Sequence, residues 1–191
     1  MVGSFNEILM IKGSPKIVNV LVEVKRDEQV VIVTDYDTVS IARSLATACI
    51  EAGAEPTLMI MRPREAHGLE PLEVVPAAMA KADVVFEPVS KSIAHTSATK
   101  KAREMGARVI VLPEFTEDMM ISGGLEADFV AQKPLCEKIR DYLTNSKTAQ
   151  VTNPFGPNIA MSLKDRLGRA LHGLARGSAE DTAARPTLRP A

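Results

Sequence analysis

The sequence predicts an α/β protein with an open, mostly parallel sheet flanked by helices, a Rossmann-like three-layer arrangement. The first observation is a set of short apolar runs, such as VVIVT at 30–34, whose unbroken β-branched character is typical of strands covered on both faces. The second is that stretches with helical apolar spacing separate these runs. The third is a repeated helix–Gly–Ala–strand pattern, EAGAEPTLMIM and EMGARVIVLP, which alternating βα units with right-handed crossovers produce.

Composition and charge restrict the class of protein. Apolar residues make up 46% of the 191 and charged residues 25%, which are ordinary globular values. The formal net charge is −1, so nothing electrostatic indicates a nucleic-acid or membrane partner. No apolar run approaches the roughly 20 residues of a membrane span, and the first residues lack the features of a secretory signal. We therefore expect a cytoplasmic protein in which Cys49 and Cys136 are reduced and buried on helices.

The N-terminal elements follow from their boundary signals. Residues 5–24 carry apolar side chains at helical spacing that Gly13 and Pro15 interrupt, which predicts two short helices. A helix is expected over 39–52, with its N-cap at Asp37 or Thr38 and its stop at Gly53. The other elements predicted before the central loop are strands at 30–34, 57–61 and 83–86 and a helix at 74–82.

Residues 91–114 are the stretch around which we expect the function to be organised. A loop carries Ser92 and His95, a helix runs over 96–105, Gly106 ends that helix, and a buried strand follows at 108–112. Ligands of open α/β sheets bind at the carboxyl ends of the strands. The loop that follows the third strand therefore lies at the expected ligand edge.

The C-terminal third changes character. A helical turn at 116–121 precedes the longest predicted helix, 125–145, which Pro134 should kink or split. Short strands at 149–152 and 159–163 flank the turn residues NPFGPN, a pattern that predicts a β-hairpin. From about residue 164 the chain is rich in Ala, Arg, Gly and Pro without a clear period, and we expect residues 177–191 to be disordered.

His95 is the leading candidate for a functional side chain. It precedes a helix whose free N–H groups favour anions, so a neutral imidazole there could act as a base or donate a hydrogen bond to a ligand. The alternative is that His95, Thr96 or Ser97 simply caps the helix, and the sequence does not separate the two interpretations. His95 is a poor metal ligand, because no second His, Cys or carboxylate follows at i+2 to i+4.

Other polar residues are weighed in the same way. Asp35 and Asp37 follow the first strand and could hold Mg²⁺, but capping and an acidic first helical turn explain them more simply. The Ser-Gly-Gly stretch at 122–124 could bind an anion, although a helix stop explains it better. His67 and His172 have the polar surroundings typical of surface residues. The substrate-cleft candidates are thus His95, Asp35 and Ser92, and neither a catalytic residue nor a metal ligand is assigned.

Four segments, taken in order, resemble one enzyme family. They are VVIVTDYDT, SIAHTSATKKAREMGARVIVLPE, MMISGGLEADF and VTNPFGPNIAMSLKDR. Together they look like the N-terminal half of the family that contains the thermophilic aminopeptidases (aminopeptidase T type) and the 2,5-dihydroxypyridine 5,6-dioxygenases. The resemblance covers about residues 5–169, and none of the four motifs is diagnostic alone. In that family an N-terminal α/β domain precedes a second domain whose histidines and acids bind a divalent ion, Fe(II) in the dioxygenases.

The resemblance implies an α/β domain at 1–148, an incomplete start of the metal-binding domain at 149–169, and a disordered tail at 170–191. Because the expected glycines, acids and histidines are missing after residue 169, no family metal ligand is carried over to this chain. We expect the chain to bind no cofactor alone, to form one wall of a cleft for a small-molecule substrate, and to be inactive alone. Homo-oligomerisation is left open. The composition of the tail is also what a GC-rich gene read in the wrong frame would encode, which suggests a truncated product.

Two classes of function remain. The first is a fragment of a ring-cleaving Fe(II) dioxygenase, which we prefer to a metal-dependent leucyl aminopeptidase, since the chemistry that separates them lies in the second domain. The second is a stand-alone α/β module that binds a small molecule. A receiver domain is disfavoured because Glu87, not aspartate, lies near the end of the third strand and no convincing lysine follows the fifth.

Overall fold

The computed structural model of the protein describes residues 6–156 and 158–176, which form two compact units. The first unit contains residues 6–127 and 174–176, and the second contains residues 128–156 and 158–173. The long predicted helix therefore groups with the hairpin and not with the parallel sheet. The assignment of residues 149–169 to the start of a metal-binding domain stays a prediction.

A parallel sheet forms the centre of the first unit and confirms the predicted fold class. Its strands are β1 (Gln29–Asp35), β2 (Glu55–Met61), β3 (Val84–Val89) and β4 (Arg108–Pro113). They are hydrogen-bonded in the order β2-β1-β3-β4, and every neighbouring pair is parallel. All six side chains of β3 and six of the seven in β1 are buried, as continuous apolar runs predict for strands covered on both faces.

Helices connect and flank these strands at the predicted places. The α-helices are α1 (Asn6–Leu9), α2 (Val39–Glu51), α3 (Val74–Met79), α4 (Ser97–Glu104), α5 (Glu117–Ile121) and α6 (Phe129–Asn145). The second of the two short N-terminal helices is a π-helical segment, Lys16–Val22, whose buried side chains belong to the core. The stretch at 122–124 ends α5 and leads into a 3₁₀ turn, as the simpler of its two interpretations predicted.

The repeated Gly–Ala pattern forms the same helix end twice. The glycines adopt left-handed backbone angles, with φ of 83° at Gly53 and 101° at Gly106. The N–H of the following residue, Ala54 or Ala107, then donates to the carbonyl oxygen five residues earlier at 3.0 Å. This is the Schellman arrangement, which satisfies the last carbonyls of a helix and turns the chain into the next strand. The repeat predicted from the sequence is thus a repeat of structure.

The second unit consists of α6, a β-hairpin and the segment that follows it. The Asp128 carboxylate caps α6 by accepting the N–H of Ala131 at 2.9 Å, and the helix then runs through Pro134 without being split. The hairpin strands, β5 (Thr148–Thr152) and β6 (Asn158–Ser162), pair antiparallel and confirm the predicted hairpin.

The predicted disorder of residues 170–191 is wrong for residues 170–176. Leu174 and Ala175 are buried, and the N–H of Ala175 donates to the Leu21 carbonyl oxygen at 2.7 Å. The Arg176 guanidinium donates to the carbonyl oxygen of Val20 at 2.8 Å and also forms an ion pair with a glutamate of the first unit. A few anchoring contacts suffice to fix this segment, and composition does not reveal them. The prediction for residues 177–191 lies outside the described residues.

Two further predictions are corrected by side-chain burial. His172, predicted at the surface, is only 8% exposed. Cys136 is half-buried on α6, whereas Cys49 on α2 is buried as predicted, and both thiols are free. Burial raises the pKa of the Cys49 thiol to about 12, which makes it an unreactive core side chain. Among the described residues, no helix is both long enough and apolar enough to cross a membrane.

Candidate functional site

The strand order places a candidate site at the carboxyl ends of β1 and β3. The chain leaves β1 toward β2 on one side, whereas β3 and β4 lie on the other side. Connections that leave adjacent strands in opposite directions open a crevice at that edge, which is where open α/β sheets bind ligands. The loop with Ser92 and His95 follows β3 and lies at this edge, as predicted.

Asp35, a predicted cleft residue, ends β1 at this edge but is only 1% exposed. One carboxylate oxygen accepts the backbone N–H of Ser90 at 2.7 Å and its hydroxyl at 2.8 Å. The other oxygen accepts the N–H of Asp37 at 3.1 Å and lies 3.2 Å from the Thr38 hydroxyl. Since both carboxylate oxygens accept hydrogen bonds from groups of the same chain, the geometry favours a structural role that ties β1 to the loop after β3.

Thr38 closes the same crevice from the other side. It occupies the predicted N-cap position of α2, yet its hydroxyl makes no capping bond. The hydroxyl instead donates to the carbonyl oxygen of Pro88 at 2.7 Å, across the gap between β1 and β3. Hydrogen bonds within the protein therefore close the crevice between the ends of β1 and β3. The accessible polar groups lie further along the loop that follows β3.

The N-terminus of α4 is capped twice. The hydroxyl of Thr96 accepts the N–H of Thr99 at 3.3 Å, which confirms one of the capping alternatives. The carboxylate of Glu70, from the connector between β2 and α3, accepts the N–H groups of Ser97 at 2.6 Å and Ala98 at 3.3 Å. The anion-favouring end of this helix thus holds a carboxylate of the same chain, and His95 stays exposed beside it.

His67 joins the loop through a contact that the sequence did not reveal. Its Nδ1 accepts the backbone N–H of Ser92 at 3.0 Å, and the N–H of Gly68 donates to the Ser92 carbonyl oxygen at 2.8 Å. Because a backbone N–H can only donate, Nδ1 is unprotonated in this bond and Nε2 carries the proton of the neutral ring. Nε2 lies 3.8 Å from the Glu114 carboxylate, which follows β4. The imidazole is half exposed and held in a defined orientation.

Glu114 has a backbone conformation that is uncommon for its residue type. Its φ is 55°, in the left-handed region that Gly, Asn and Asp occupy more readily. Its N–H donates to the carbonyl oxygen of Val89 at 3.0 Å, which fixes the chain where β3 and β4 end. The Glu114 carboxylate thus lies beside His67, at the ends of two neighbouring strands.

Glu87 is a buried acid that sequence reasoning undervalued. It lies within β3 with 0% of its surface exposed, and the Thr99 hydroxyl donates to its Oε1 at 2.7 Å. Within the described part of the chain its Oε2 has no hydrogen-bond partner. Burial raises the pKa of Glu87 to about 7, against the opposing effects of the Thr99 hydrogen bond and the Arg103 charge. An acid inside the apolar run VVFEPV was the available signal.

The divalent metal that the family resemblance implies does not fit the side chains described. In residues 6–156 and 158–176, no three His, Cys, Asp or Glu side chains lie together in a way that could hold a metal ion. Asp35 and Asp37 do not offer two free carboxylates to an ion, because an oxygen of the Asp35 carboxylate already accepts the backbone N–H of Asp37. The Nδ1 atom of His67 is not free to bind a metal either, because it accepts the backbone N–H of Ser92.

Comparison with known proteins identifies a distant structural relative. No family model matches the chain, and no curated protein matches it. Among solved structures, the chain is similar to a 2,5-dihydroxypyridine dioxygenase from Pseudomonas putida KT2440, with a TM-score of 0.65 and 12% sequence identity. The similarity covers 91% of this chain and 52% of the dioxygenase, so the chain spans about half of that protein's length. At this identity the likeness shows a related fold.

Proposed function

We propose that the chain is the N-terminal scaffold of an enzyme like 2,5-dihydroxypyridine dioxygenase and forms one wall of its substrate cleft. The observation that carries this proposal is the fold match, which includes 91% of this chain but only 52% of the dioxygenase. A chain that corresponds to about half of the dioxygenase fold would form only one side of the substrate cleft. The ligands of the metal then come from polypeptide outside these 191 residues.

The side chains at the carboxyl edge of the sheet support the role of a cleft wall. The Nε2–H of neutral His67 is a hydrogen-bond donor that the Ser92 amide holds in place. His95 is exposed in the same loop, three residues after Ser92. A dihydroxypyridine presents oxygen and ring-nitrogen acceptors to such donors. These residues would bind and orient a small aromatic substrate, and no step of bond cleavage is assigned to them.

Metal analysis and activity assays test the proposal that the metal ligands lie outside this chain. The purified full chain, incubated anaerobically with Fe(II), is expected to retain no stoichiometric iron and to cleave no 2,5-dihydroxypyridine once O₂ is admitted. A leucyl-peptide substrate in parallel, with Zn²⁺ in place of iron, tests the aminopeptidase alternative in the same way. Stoichiometric metal held by this chain together with turnover would contradict the proposal.

The cleft wall is tested by following the imidazole resonances. The chain has three histidines, so each can be assigned by substitution. Millimolar 2,5-dihydroxypyridine is expected to shift the ring signals of His67 and His95 and to leave that of buried His172 unchanged. Equal shifts at all three, or none at His67 and His95, would show that this edge does not bind the substrate.

The proposal that other polypeptide carries the metal site is tested at the level of the gene. Translation of the DNA downstream of codon 191, in all reading frames, is expected to show a continuation that contains histidines and acids. Absence of any such segment would count against the proposed scaffold role and favour a stand-alone binding module.

A further inference from the structure

The ligand-edge loop, residues 90–96, is anchored at Ile93. The Ile93 side chain has no exposed surface and belongs to the core of the first unit. Its carbonyl oxygen accepts the N–H of Thr96 at 3.0 Å and the Thr96 hydroxyl at 2.7 Å, both from the end of the loop itself. The hydroxyl of Thr99, in the first turn of α4, lies 2.9 Å from the same oxygen. This last contact joins the loop to the helix that follows it.

The Thr99 hydroxyl has one hydrogen and two acceptors. Its oxygen lies 2.7 Å from Oε1 of Glu87 and 2.9 Å from the Ile93 carbonyl oxygen. A hydroxyl group donates one hydrogen bond, so Thr99 can satisfy only one of these acceptors at a time. Hydrogen bonds to a charged acceptor are the stronger ones. While Glu87 is ionised, its carboxylate therefore takes the Thr99 hydrogen, and the Ile93 carbonyl receives none from α4.

A proton on Glu87 reverses this arrangement. A protonated carboxyl group has an O–H donor of its own. That hydrogen, placed on Oε1, can be donated to the Thr99 oxygen across the same 2.7 Å, which leaves the Thr99 hydrogen for Ile93. The neutral acid thus ties the loop to α4, and the ionised acid withdraws the bond.

The burial of Glu87 makes the loss of its charge accessible. The side chain has no exposed surface, and its Oε2 has no hydrogen-bond partner among the described residues. A carboxylate oxygen in such a place is costly to keep charged. Burial accordingly raises the pKa of Glu87 to about 7, since the Thr99 hydrogen bond and the charge of Arg103 offset the burial only in part.

The surroundings of Glu87 are otherwise apolar. Alternate residues of a strand share a face, so Glu87 lies on the same side of β3 as Val85 and Val89. The core cluster that contains those two valines takes apolar side chains from β1, α3, α4 and β4. In residues 6–156 and 158–176, the charged side chain that acts on Glu87 is Arg103 of α4.

We propose that Glu87 is a proton switch for the ligand-edge loop, in which the neutral acid holds the loop to α4 through Thr99 and Ile93 and the ionised acid releases it. Because the pKa of Glu87 is about 7, the change falls near neutral pH. Ser92 and His95 belong to this loop, so the order of the candidate cleft wall follows the proton. The inference concerns the loop itself and does not rest on the proposed substrate.

Carbon-13 NMR of the full chain, titrated from about pH 5 to about pH 9, tests the switch. The carboxyl carbon of Glu87 and the carbonyl carbon of Ile93 are expected to shift with one shared midpoint near pH 7. Glu87→Gln keeps a hydrogen-bond donor but cannot ionise, so the Ile93 shift should be lost.

Thr99→Val tests the hydroxyl that connects the two carbons. The Glu87 carbon should still titrate in this variant, with a higher midpoint, because the lost hydrogen bond no longer stabilises the carboxylate. The Ile93 carbon should no longer follow it. Thr99→Ser restores the hydroxyl and should restore the shared midpoint. If Thr99→Val does not fold, Glu87→Gln and Thr99→Ser still decide the test.

Two control variants separate other causes. His67 also bonds to this loop, through the Ser92 N–H, and histidine changes charge in the same range of pH. His67→Gln should leave the Ile93 shift and its midpoint unchanged, whereas loss of the shift would assign it to His67 and overturn the inference. Thr47→Val removes a threonine hydroxyl from α2 and should leave both titrations intact.

Three further results would also overturn the switch. The first is an Ile93 carbon that does not move with pH in the wild type. The second is a midpoint at Ile93 that differs from the midpoint at Glu87. The third is an Ile93 carbon that still titrates with Glu87 in Thr99→Val.

Discussion

The two compact units of this chain differ in how far their apolar side chains are buried. In the first unit, strands β1 and β3 are covered on both faces, and Ile32, Val33 and Phe86 have no exposed surface. In the second unit, α6 has no buried residue, and the hairpin strands are exposed almost throughout. The same kinds of apolar residue occur in both. The difference teaches that, among the described residues, the first unit buries its apolar side chains in a core of its own, whereas the second leaves most of its apolar side chains exposed.

The local packing of the second unit shows how its apolar groups stay uncovered. The segment 166–173 lies along one side of α6, where the N–H of Gly168 donates to the Thr144 hydroxyl at 3.0 Å. A Cβ on Gly168 would come within 2.5 Å of the Arg140 carbonyl oxygen, so the approach depends on glycine. This segment covers one side of α6 and leaves the side with Leu135 and Ile139 open.

Truncation of a core side chain should have the largest effect. Phe86→Ala removes a fully buried ring from β3 and is expected to lower the free energy of unfolding by about 3–5 kcal/mol. Leu135→Ala, on the 59% exposed stripe of α6, should change it by less than about 0.5 kcal/mol in the monomer. Urea unfolding of both variants checks this contrast. Similar losses for the two would show that both units share one core.

Glu87 should make the stability of the first unit depend on pH. Its pKa rises from an ordinary value of 4.5 in the unfolded chain to about 7 in the fold, so the neutral carboxyl is favoured by folding. This contribution is fully present below pH 4.5 and is lost as the pH rises through 7, a change of about 3 kcal/mol. Glu87→Gln should flatten the pH dependence of urea unfolding across this window.

A matched variant separates titration from general destabilisation. Ile32→Val weakens the same sheet by removing one buried methylene, and it should retain the full wild-type pH dependence. If Glu87→Gln and wild type show parallel stability curves between pH 4.5 and 7, the buried acid does not titrate as described.

The helix caps give a smaller and matched comparison of the two units. Thr96→Ala removes the cap of α4 and should lower the free energy of unfolding of the first unit by about 1 kcal/mol. Asp128→Ala removes the equivalent cap of α6. It should reduce helical circular dichroism and speed exchange of the Ala131 amide, without moving the cooperative transition of the first unit. Equal shifts of that transition for both variants would contradict independent units.

The sequence predicted the sheet well because its strands are buried on both faces. Such strands are unbroken apolar runs, so the predicted strand at 30–34 falls within one residue of β1 at either end. The two Gly–Ala helix ends also depend on a local sequence pattern, so the sequence predicted them. The π-helical form of Lys16–Val22 and the burial of residues 174–176 depend on tertiary contacts, and no local pattern revealed them.

The candidate site was predicted only in part, for a physical reason. The loop with Ser92 and His95 could be placed at the ligand edge because it directly follows a predicted strand, and open α/β sheets bind ligands at the carboxyl ends of their strands. His67 and Glu70 reach that loop from 25 to 27 residues earlier in the chain, through a connector without periodicity. Contacts of this kind depend on the folded path of the connector, which the sequence pattern does not encode.

The family resemblance was informative about the fold and less so about chemistry. Four weak motifs in order pointed to a fold that the structural likeness to the dioxygenase supports, at 12% identity. The choice between dioxygenase and aminopeptidase chemistry, and the absence of a resident cofactor, stay predictions. They depend on the side chains that hold the metal, which we place outside this chain.

The central claim is that the first unit has a stable core of its own and the second does not. Native-state hydrogen exchange of the full chain at low concentration tests this claim most directly. Amides of β1 and β3 should exchange slowest, through global unfolding, whereas those of β5, β6 and α6 should exchange through local opening and much faster. The contrary result is a dilute, monomeric chain in which the hairpin amides are as strongly protected as those of β1.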